Sequence, residues 1–157
     1  MTTIHLRRAT KADLPAIIEL WKEFMDFHKR RNPFFSRLPD AHEDFGRFMQ
    51  GNLTKKDWLV LVAVDDQEAI GYGSATIMSY PPIYQDPRYG YIQDVAVTQA
   101  YRGQGVGQKL FEEMTAWFRE QGISRLELEV AATNEVSQAF WQKMGFAEFT
   151  KKLTMNL

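Results

Sequence analysis

A glycine-rich turn between a strand and a helix constrains the fold of this chain more than any other segment. The predicted strand Tyr89–Val97 leads into glycines at positions 103, 105 and 107, where the amphipathic helix Gly105–Gln121 begins. Glycine has no side chain to hinder a ligand that approaches the backbone N–H groups. The first N–H groups of a helix also lack internal partners and lie at the positive end of its dipole. The turn therefore predicts an anion site, most often one for phosphate.

The turn alone does not identify its ligand, because it differs from two common phosphate-binding motifs. A dinucleotide fingerprint, G-x-G-x-x-G, needs glycine at the position of Gln108, and the Gly-Lys-Ser/Thr of a Walker A loop is absent. Three glycines can also form a flexible turn that binds nothing. The elements around the turn are needed to choose between these interpretations.

Hydrophobic periodicity predicts one α/β domain over residues 1–157, with elements in the order β-α-α-β-β-β-α-β-α-β. The predicted strands are Ile4–Arg7, Asp57–Val64, Ala69–Ser79, Tyr89–Val97, Ser124–Ala131 and Ala147–Asn156. The first predicted helix has Thr10 as its N-cap and continues to His28. The other predicted helices are Ala41–Leu53, Gly105–Gln121 and Asn134–Met144. The alternating second half implies parallel strands and the hairpins before it antiparallel ones. We therefore expect a mixed sheet with helices on both faces.

Charge and residue content exclude several classes of protein. The 157 residues include 19 Lys and Arg and 20 Asp and Glu, for a net charge of −1. This balance argues against a general nucleic-acid binder, whose affinity comes mostly from neutralising phosphates. The chain has no cysteine, which excludes disulfides and cysteine nucleophiles, and its histidines lack metal-ligand spacing. We expect neither a metal nor a nucleic-acid partner.

The apolar runs of the sequence are short. The first ten residues, MTTIHLRRAT, contain no apolar stretch typical of a signal peptide. The longest run, Leu59–Val64, is far shorter than the ~20 residues that a membrane helix needs. These features predict a cytoplasmic protein with no membrane partner.

Two motifs in the second half resemble the GNAT superfamily of acetyl-CoA-dependent N-acetyltransferases. The pattern R-x-x-G-x-G over Arg102–Gly107 follows a strand, and Asn134 precedes the segment F-W-Q-K-M-G-F over Phe140–Phe146. In that family the first pattern forms the pyrophosphate loop, and the second lies on the next helix. The family also has the element order predicted above. The resemblance covers nearly the whole chain and is strongest over residues 91–146.

The resemblance implies a GNAT fold whose central parallel strands splay apart to admit acetyl-CoA. The residues that it implies for acetyl-CoA binding are Val95, Ala96, Val97, Arg102, Gly103, Gln104, Gly105, Val106, Gly107, Gln108, Asn134 and Trp141. The backbone of residues 95–97 pairs with pantetheine as an added strand would, and the amides of residues 103–108 hold the pyrophosphate. Asn134 binds pantetheine or caps its own helix, or does both. The helix face that carries Trp141 lines the sulfur end.

The residues for the chemistry depart from the pattern of many family members. A tyrosine that often serves as the acid is replaced by Trp141, whose indole N–H is not a useful acid at neutral pH. The alternatives are water or a tyrosine from elsewhere, with Tyr84, Tyr80 and Tyr101 as candidates. Some members carry Glu-Asp on the central strand where this chain has Gln93-Asp94. Asp94 is then the local carboxylate for a general base, or a buried structural carboxylate.

These residues predict an N-acetyltransferase that transfers the acetyl group of acetyl-CoA to a primary amine in a ternary complex. The acceptor is a small molecule or peptide, walled by the segment Trp21–Phe35 and the loop Tyr80–Tyr84. The alternative, suggested by Gln93 and Trp141, is a catalytically weak CoA-binding or sensor module of the same fold. A structural protein that kept the fold is a third interpretation. The family makes a homodimer plausible, although no residue pattern establishes one.

Overall fold

A five-stranded mixed sheet forms the centre of the structure, a computed structural model that describes residues 3–157. The strands lie in chain order and are β1 (His5–Arg8), β2 (Trp58–Asp65), β3 (Glu68–Ser79), β4 (Arg88–Val97) and β5 (Leu126–Glu127). Strands β1 to β4 pair antiparallel, and β5 joins β4 in parallel. The helices are α1 (Leu14–Arg31), α2 (Ala41–Asn52), α3 (Val106–Glu120) and α4 (Glu135–Lys143). The predicted mixed sheet is confirmed.

Helices cover both faces of the sheet because strand β2 is apolar at every position from Leu59 to Val64. Successive side chains of a strand point to opposite faces, so this run supplies two cores. Leu59 and Leu61 pack with α3, whereas Val60 and Val62 pack with α1 and α2. Full burial of each such side chain contributes roughly 1.5–3 kcal/mol to folding.

Strands β4 and β5 separate soon after they meet. Their parallel pairing comprises Gly90 with Leu126 and Tyr91 with Glu127. Strand β4 continues to Val97, but in the described part of the chain its later residues pair only with β3. The divergence agrees with the expected splay, and it leaves the backbone of β4 open on one side.

Two glycines allow the close packing that holds β4 in place. A Cβ atom on Gly90 would lie 2.5 Å from Phe118 Cε1 and 2.6 Å from Leu126 Cδ2. A Cβ atom on Gly71 would lie 2.9 Å from the carbonyl oxygen of Ala96. Any larger residue would push β4 away from β3, β5 or α3 at these points.

The predicted elements after α3 need correction. The strand predicted at Ser124–Ala131 is reduced to the two residues of β5, because only these stay within hydrogen-bonding reach of β4. The final strand predicted at Ala147–Asn156 is wrong, since residues 147–157 form neither strand nor helix in the structure. They find no sheet partner in their own chain.

No helix within residues 3–157 has the length and hydropathy needed to cross a membrane.

A buried carboxylate joins β1 to the start of α1. Asp13 accepts two hydrogen bonds from the guanidinium of Arg7, both 2.8 Å long, and one of 2.7 Å from the backbone N–H of Thr10. The bonds from Arg7, and secondarily those from Thr10, lower the pKa of Asp13 to about 2 although burial opposes this. The ionised form is therefore favoured in the folded state.

We expect Asp13→Asn to lower the free energy of unfolding by about 1–2 kcal/mol at pH 7, an amount reduced by the partial exposure of Arg7. The folded pKa of about 2 lies below the ordinary value of 3.8. The stabilisation that ionised Asp13 gives to the folded state is therefore complete above about pH 3.8. It disappears as the pH falls through about 2. Urea unfolding at several pH values measures the difference. Glu19→Gln, which affects an exposed pair with Lys22, is the control and should change stability by less than about 0.5 kcal/mol.

Candidate active site

A cleft of about 60 Å³ lies where β4 and β5 separate. Four parts of the chain meet there: helix α1, the end of β4, the segment after β5, and helix α4. Its lining residues are Phe24, His28, Ile92, Gln93, Asp94, Val95, Leu128, Glu129, Val130, Ser137 and Trp141. The structure thus brings together the predicted residues Asp94, Val95 and Trp141.

Asp94 is a carboxylate without a cationic partner in the described chain. Its Oδ2 accepts a hydrogen bond of 3.0 Å from the hydroxyl of Tyr72, which is fully buried on β3. Burial raises the pKa of Asp94 to about 6, while the bond from Tyr72 acts in the opposite direction. Such a group is mostly ionised at neutral pH and is basic enough to accept a proton from a substrate.

A β-bulge interrupts β4 at Gln93, and the residues around it line the cleft. Ser74 pairs with Asp94 and the next residue, Ala75, pairs with Ile92, so Gln93 is the extra residue. A regular strand would send Gln93 and Asp94 to opposite faces, but a bulge changes this alternation. Sequence analysis left the role of Asp94 open between a general base and a structural carboxylate, and no residue pattern marks the bulge.

The glycine loop, residues 103–108, presents backbone donors to solvent. Gly103 and Gly105 have φ angles of +75° and +82°, in the left-handed region that favours glycine. A Cβ atom at either position would meet nothing within 4 Å, so the space in front of the loop is open. The hydrogen bonds of the described chain use none of the N–H groups of residues 103–108. An anionic ligand fits these residues.

Arg102 turns toward the protein and away from the open side of the glycine loop. Its Nε donates to the carbonyl oxygen of Val97 at 2.9 Å, and its Nη2 donates to Glu23 Oε1 at 3.1 Å. Glu23, on α1, also accepts from Thr98 Oγ1 at 2.9 Å and from the backbone N–H of Gln99 at 2.8 Å. Arg102 and Glu23 thus fasten the turn after β4 to α1.

Asn134 is fully buried and caps helix α4. Its Oδ1 accepts from the backbone N–H of Ser137 at 3.1 Å, and its Nδ2 donates to Ser137 Oγ at 2.9 Å. The capping interpretation of Asn134 is therefore seen directly, and its role toward pantetheine stays a prediction. Ser137, which sequence analysis did not select, lines the cleft.

Trp141 belongs to an aromatic cluster between α3 and α4. Its ring lies edge-on to those of Phe111, Phe140 and Phe146, with centroids 5.8, 4.8 and 5.4 Å away. Phe140 in turn lies 3.4 Å from the position of a Cβ on Gly107. The cluster fixes α4 against the beginning of α3 and holds the indole at the edge of the cleft.

The three candidate tyrosines have different surroundings. Tyr80 donates to Glu127 Oε1 at 2.6 Å and Tyr101 to Asp65 Oδ2 at 2.8 Å, and these bonds raise the pKa of both phenols. Tyr84 is 58% exposed, contacts the ring of Tyr80, and has no hydrogen-bond partner in the described chain. None of the three lines the cleft described above.

The cleft contains two carboxylates, Asp94 on β4 and Glu129 after β5. Asp94 and Glu129 form no ion pair within residues 3–157, whereas Glu127 pairs with Arg125. His28 packs against Phe24 and Phe35, and burial, followed by the nearby Arg31, lowers its pKa and favours the neutral imidazole. Among the described residues, no three His, Asp or Glu side chains converge as they would around a metal ion.

Two relatives of known name share parts of this sequence. A glucosamine 6-phosphate N-acetyltransferase of Trypanosoma brucei brucei is 31% identical over 86 residues, which are 54% of this chain and 56% of the relative. The chain thus spans about half the length of that relative. An aminoglycoside N(6')-acetyltransferase type 1 of Acinetobacter haemolyticus is 26% identical over 94% of each chain.

A solved structure and a family model extend the comparison. The structure of a predicted acetyltransferase with acetyl-CoA from Clostridium acetobutylicum has a TM-score of 0.81 to this chain at 17% identity. The alignment covers 98% of this chain and 96% of that one, which establishes a shared fold. The model of the Acetyltransferase (GNAT) family matches residues 15–146, a range that runs from the second residue of α1 to beyond the end of α4. This chain therefore belongs to the acetyltransferase (GNAT) family.

Proposed function

We propose that residues 1–157 form one N-acetyltransferase domain, which transfers the acetyl group of acetyl-CoA directly to a primary amine in a ternary complex. The observation that carries the proposal is the position of Asp94, a carboxylate with a pKa of about 6 in a cleft beside a stretch of β4 that lacks a strand partner on one side. Family membership supports the same reaction. Acetyl-CoA supplies the reactive thioester when bound.

The proposed acetyl-CoA site runs from the open side of β4 to the glycine loop. The backbone of Val95, Ala96 and Val97 pairs with β3 on one side and is open on the other, which supports pairing with the amides of pantetheine. The free N–H groups of residues 103–108 support binding of the pyrophosphate at the start of α3. Asn134 and Trp141 complete the proposed site on α4. Arg102 contributes through its bonds to Val97 and Glu23, which hold the turn.

In the proposed reaction, Asp94 accepts a proton from the ammonium group of the acceptor. The free amine attacks the thioester carbon, a C–N bond forms, and the C–S bond to coenzyme A breaks. The backbone N–H of Val95 or Ala96 polarises the carbonyl oxygen as negative charge develops. The departing thiolate takes a proton from water or from Tyr84, the candidate tyrosine whose hydroxyl has no partner in the described chain, and the proton that the new amide nitrogen releases replaces it.

The proposed acceptor is a small molecule that carries more than one positive charge. Asp94 and Glu129 place two uncompensated carboxylates in the cleft, while the neutral His28 adds no opposing charge. An amine with a second cationic group gains from both carboxylates. The likeness to an aminoglycoside N(6')-acetyltransferase supports this class of acceptor. Phe24 supplies an apolar wall for its carbon skeleton.

We expect Asp94→Asn to lower the rate of acetyl transfer by about 10²–10⁴-fold, since a general base contributes that range. The wild-type rate should rise with pH through about 6, as Asp94 loses its proton, and the variant should lack this step. Release of free thiol from acetyl-CoA with an excess of a polyamine acceptor measures the rate across the pH range.

A stability measurement separates the base from a structural carboxylate. Because the folded pKa of Asp94 lies above its ordinary value of 3.8, ionisation destabilises the fold as the pH rises from about 4 to 6. At pH 8 the free energy of unfolding of Asp94→Asn should therefore exceed that of wild type by about 1–2 kcal/mol. A clear loss of stability with a normal rate would contradict the proposed base. A wild-type protein that binds acetyl-CoA but acetylates no amine would favour the CoA-binding module.

Gly105→Asp should weaken acetyl-CoA binding at least about tenfold in calorimetry, because it puts a negative charge beside the proposed pyrophosphate position. Gly122→Asp is the control, because it introduces the same side chain at a similar positive φ angle and so causes comparable backbone strain. Gly122 has a φ of +74° and equally open surroundings at the other end of α3. The control should keep the wild-type affinity. Equal weakening in both variants would mean that strain, rather than the anion site, explains the loss.

Glu23→Gln should raise the KM for acetyl-CoA about threefold to tenfold with a smaller change in kcat. The amide keeps one acceptor but loses the charge that holds Thr98, Gln99 and Arg102, and charged hydrogen bonds contribute roughly 1.5–3 kcal/mol each. Glu19→Gln, on the same helix and bonded only to Lys22, is the control. An unchanged KM would show that the glycine loop keeps its shape without Glu23.

A further inference from the structure

His28 is a titratable group of the cleft that the proposed reaction leaves without a role. It lies on α1 and lines the cleft together with Asp94 and Trp141. Neither nitrogen of its imidazole has a hydrogen-bond partner in the described chain. In a neutral imidazole one nitrogen can accept a proton while the other carries one to donate. The side chain is therefore equipped to take up a proton and to pass one on.

Three aromatic rings hold this imidazole in place. The ring of Phe24 lies edge-on to it with the centroids 4.4 Å apart, and the rings of Phe27 and Phe35 lie 5.9 Å away at steep angles. Phe24 and Phe27 are on the same helix, whereas Phe35 belongs to the turn Pro33–Phe35 that follows it. These contacts orient the imidazole without occupying its nitrogens. A side chain that is positioned by packing in this way needs little rearrangement before it acts.

The groups around His28 favour its neutral form at rest. Burial, followed by the charge of Arg31 one turn later on α1, lowers its pKa from the ordinary 6.5. The other charged groups that line the cleft are Asp94 on β4 and Glu129 after β5. Helix α4 adds only uncharged side chains to the lining, and the turn Pro33–Phe35 contains no charged residue. A neutral imidazole can receive a proton at neutral pH, and the imidazolium that results is acidic enough to release it again.

Acetylation of a primary ammonium group removes two protons from its nitrogen. The proposed reaction assigns the first, which leaves before the attack, to Asp94. The second leaves after the C–N bond has formed, when the nitrogen of the tetrahedral adduct again carries a positive charge. Asp94 holds the first proton at that stage and has no place for another. A second proton acceptor is therefore needed beside the same nitrogen.

We propose that His28 accepts this second proton and returns it to the water molecule or to Tyr84, from which the departing thiolate takes its own. The inference rests on the proposed acetyl transfer. The cleft that Asp94 and His28 share measures about 60 Å³, which is room for a few water molecules at most. An amine nitrogen in so small a space lies within reach of both side chains, directly or through one water.

Protons and electrons balance in this scheme. When the N–H bond of the adduct breaks, its electron pair stays on nitrogen and His28 receives the proton. The C–S bond then breaks, and its electron pair leaves with sulfur. The thiolate takes a proton from water or Tyr84, and the imidazolium of His28 replaces it. The nitrogen has then lost two protons, of which the thiol holds one and Asp94 releases the other to solvent.

The dependence of kcat on pH tests the proposal with both substrates at saturation. Because Asp94 and His28 must both be unprotonated, log kcat of wild type should rise with a slope of about 2 below the two pKa values. His28→Gln keeps a polar side chain but cannot take up a proton. It should lower kcat on the order of 10²-fold and reduce the slope to about 1. Its KM for acetyl-CoA should stay within about twofold of the wild-type value.

A control and a rescue experiment separate proton transfer from a structural role. His5→Gln is the matched control, because His5 is exposed on β1 at the opposite edge of the sheet from β5, and it should keep the wild-type kcat and slope. His28→Ala leaves a space that free imidazole can enter, and imidazole in the assay should raise its rate about tenfold. Imidazole should not rescue His28→Gln, whose amide fills that space. Circular dichroism and calorimetry with acetyl-CoA check that each variant folds and binds.

NMR follows the protonation of His28 without any turnover. Its Cε1–H signal, assigned by its loss in His28→Gln, should titrate below pH 6.5. An imidazole that is protonated at neutral pH overturns the proposal, and so does an active His28→Gln enzyme with the kcat and slope of wild type. A wild-type protein that acetylates no amine overturns the proposed function and this role together. The two failures are therefore distinguishable.

Discussion

The early separation of β4 from β5 is the constraint on which the rest of the structure depends. Two residue pairs join the strands, and the next residues of β4 keep a partner on one side only. The backbone groups of a buried strand need hydrogen bonds, so a stretch left open in this way is stable only beside water or a ligand. The cleft, the basic carboxylate and the route to the glycine loop all follow from this divergence.

Asp94 combines two requirements that oppose each other. A carboxylate becomes more basic when it is removed from water, but the same change destabilises the ionised form that the proposed base needs. The hydroxyl of Tyr72 supplies a single hydrogen bond, which limits the cost while leaving the pKa near 6. A cationic neighbour, such as Arg7 beside Asp13, has the opposite effect and brings that pKa to about 2. The two aspartates show how the partner decides between a basic and a structural carboxylate.

Local patterns predicted much of the fold and part of the site. The glycine spacing located the loop, and periodicity located the helices and the central strands. The bulge at Gln93 was not predictable, because it depends on the pairing of β4 with β3 rather than on any residue type. The contacts of Glu23 join positions 75 or more residues apart, which no local pattern reveals. Ala147–Asn156 has the correct alternation for a strand, but alternation alone does not form one, and the segment does not pair with the two-residue edge strand β5.

Helix α1 has one further consequence, because its neighbouring residues serve two sites. Glu23 holds the turn before the glycine loop, and Phe24 and His28 line the cleft. A ligand that shifts α1 from the cleft therefore also shifts the support of the loop. By thermodynamic linkage, if the first ligand changes the affinity for the second by some factor, the second ligand changes the affinity for the first by the same factor. Because one helix contacts both places, any coupling between the ligands proposed for the cleft and for the glycine loop passes through α1.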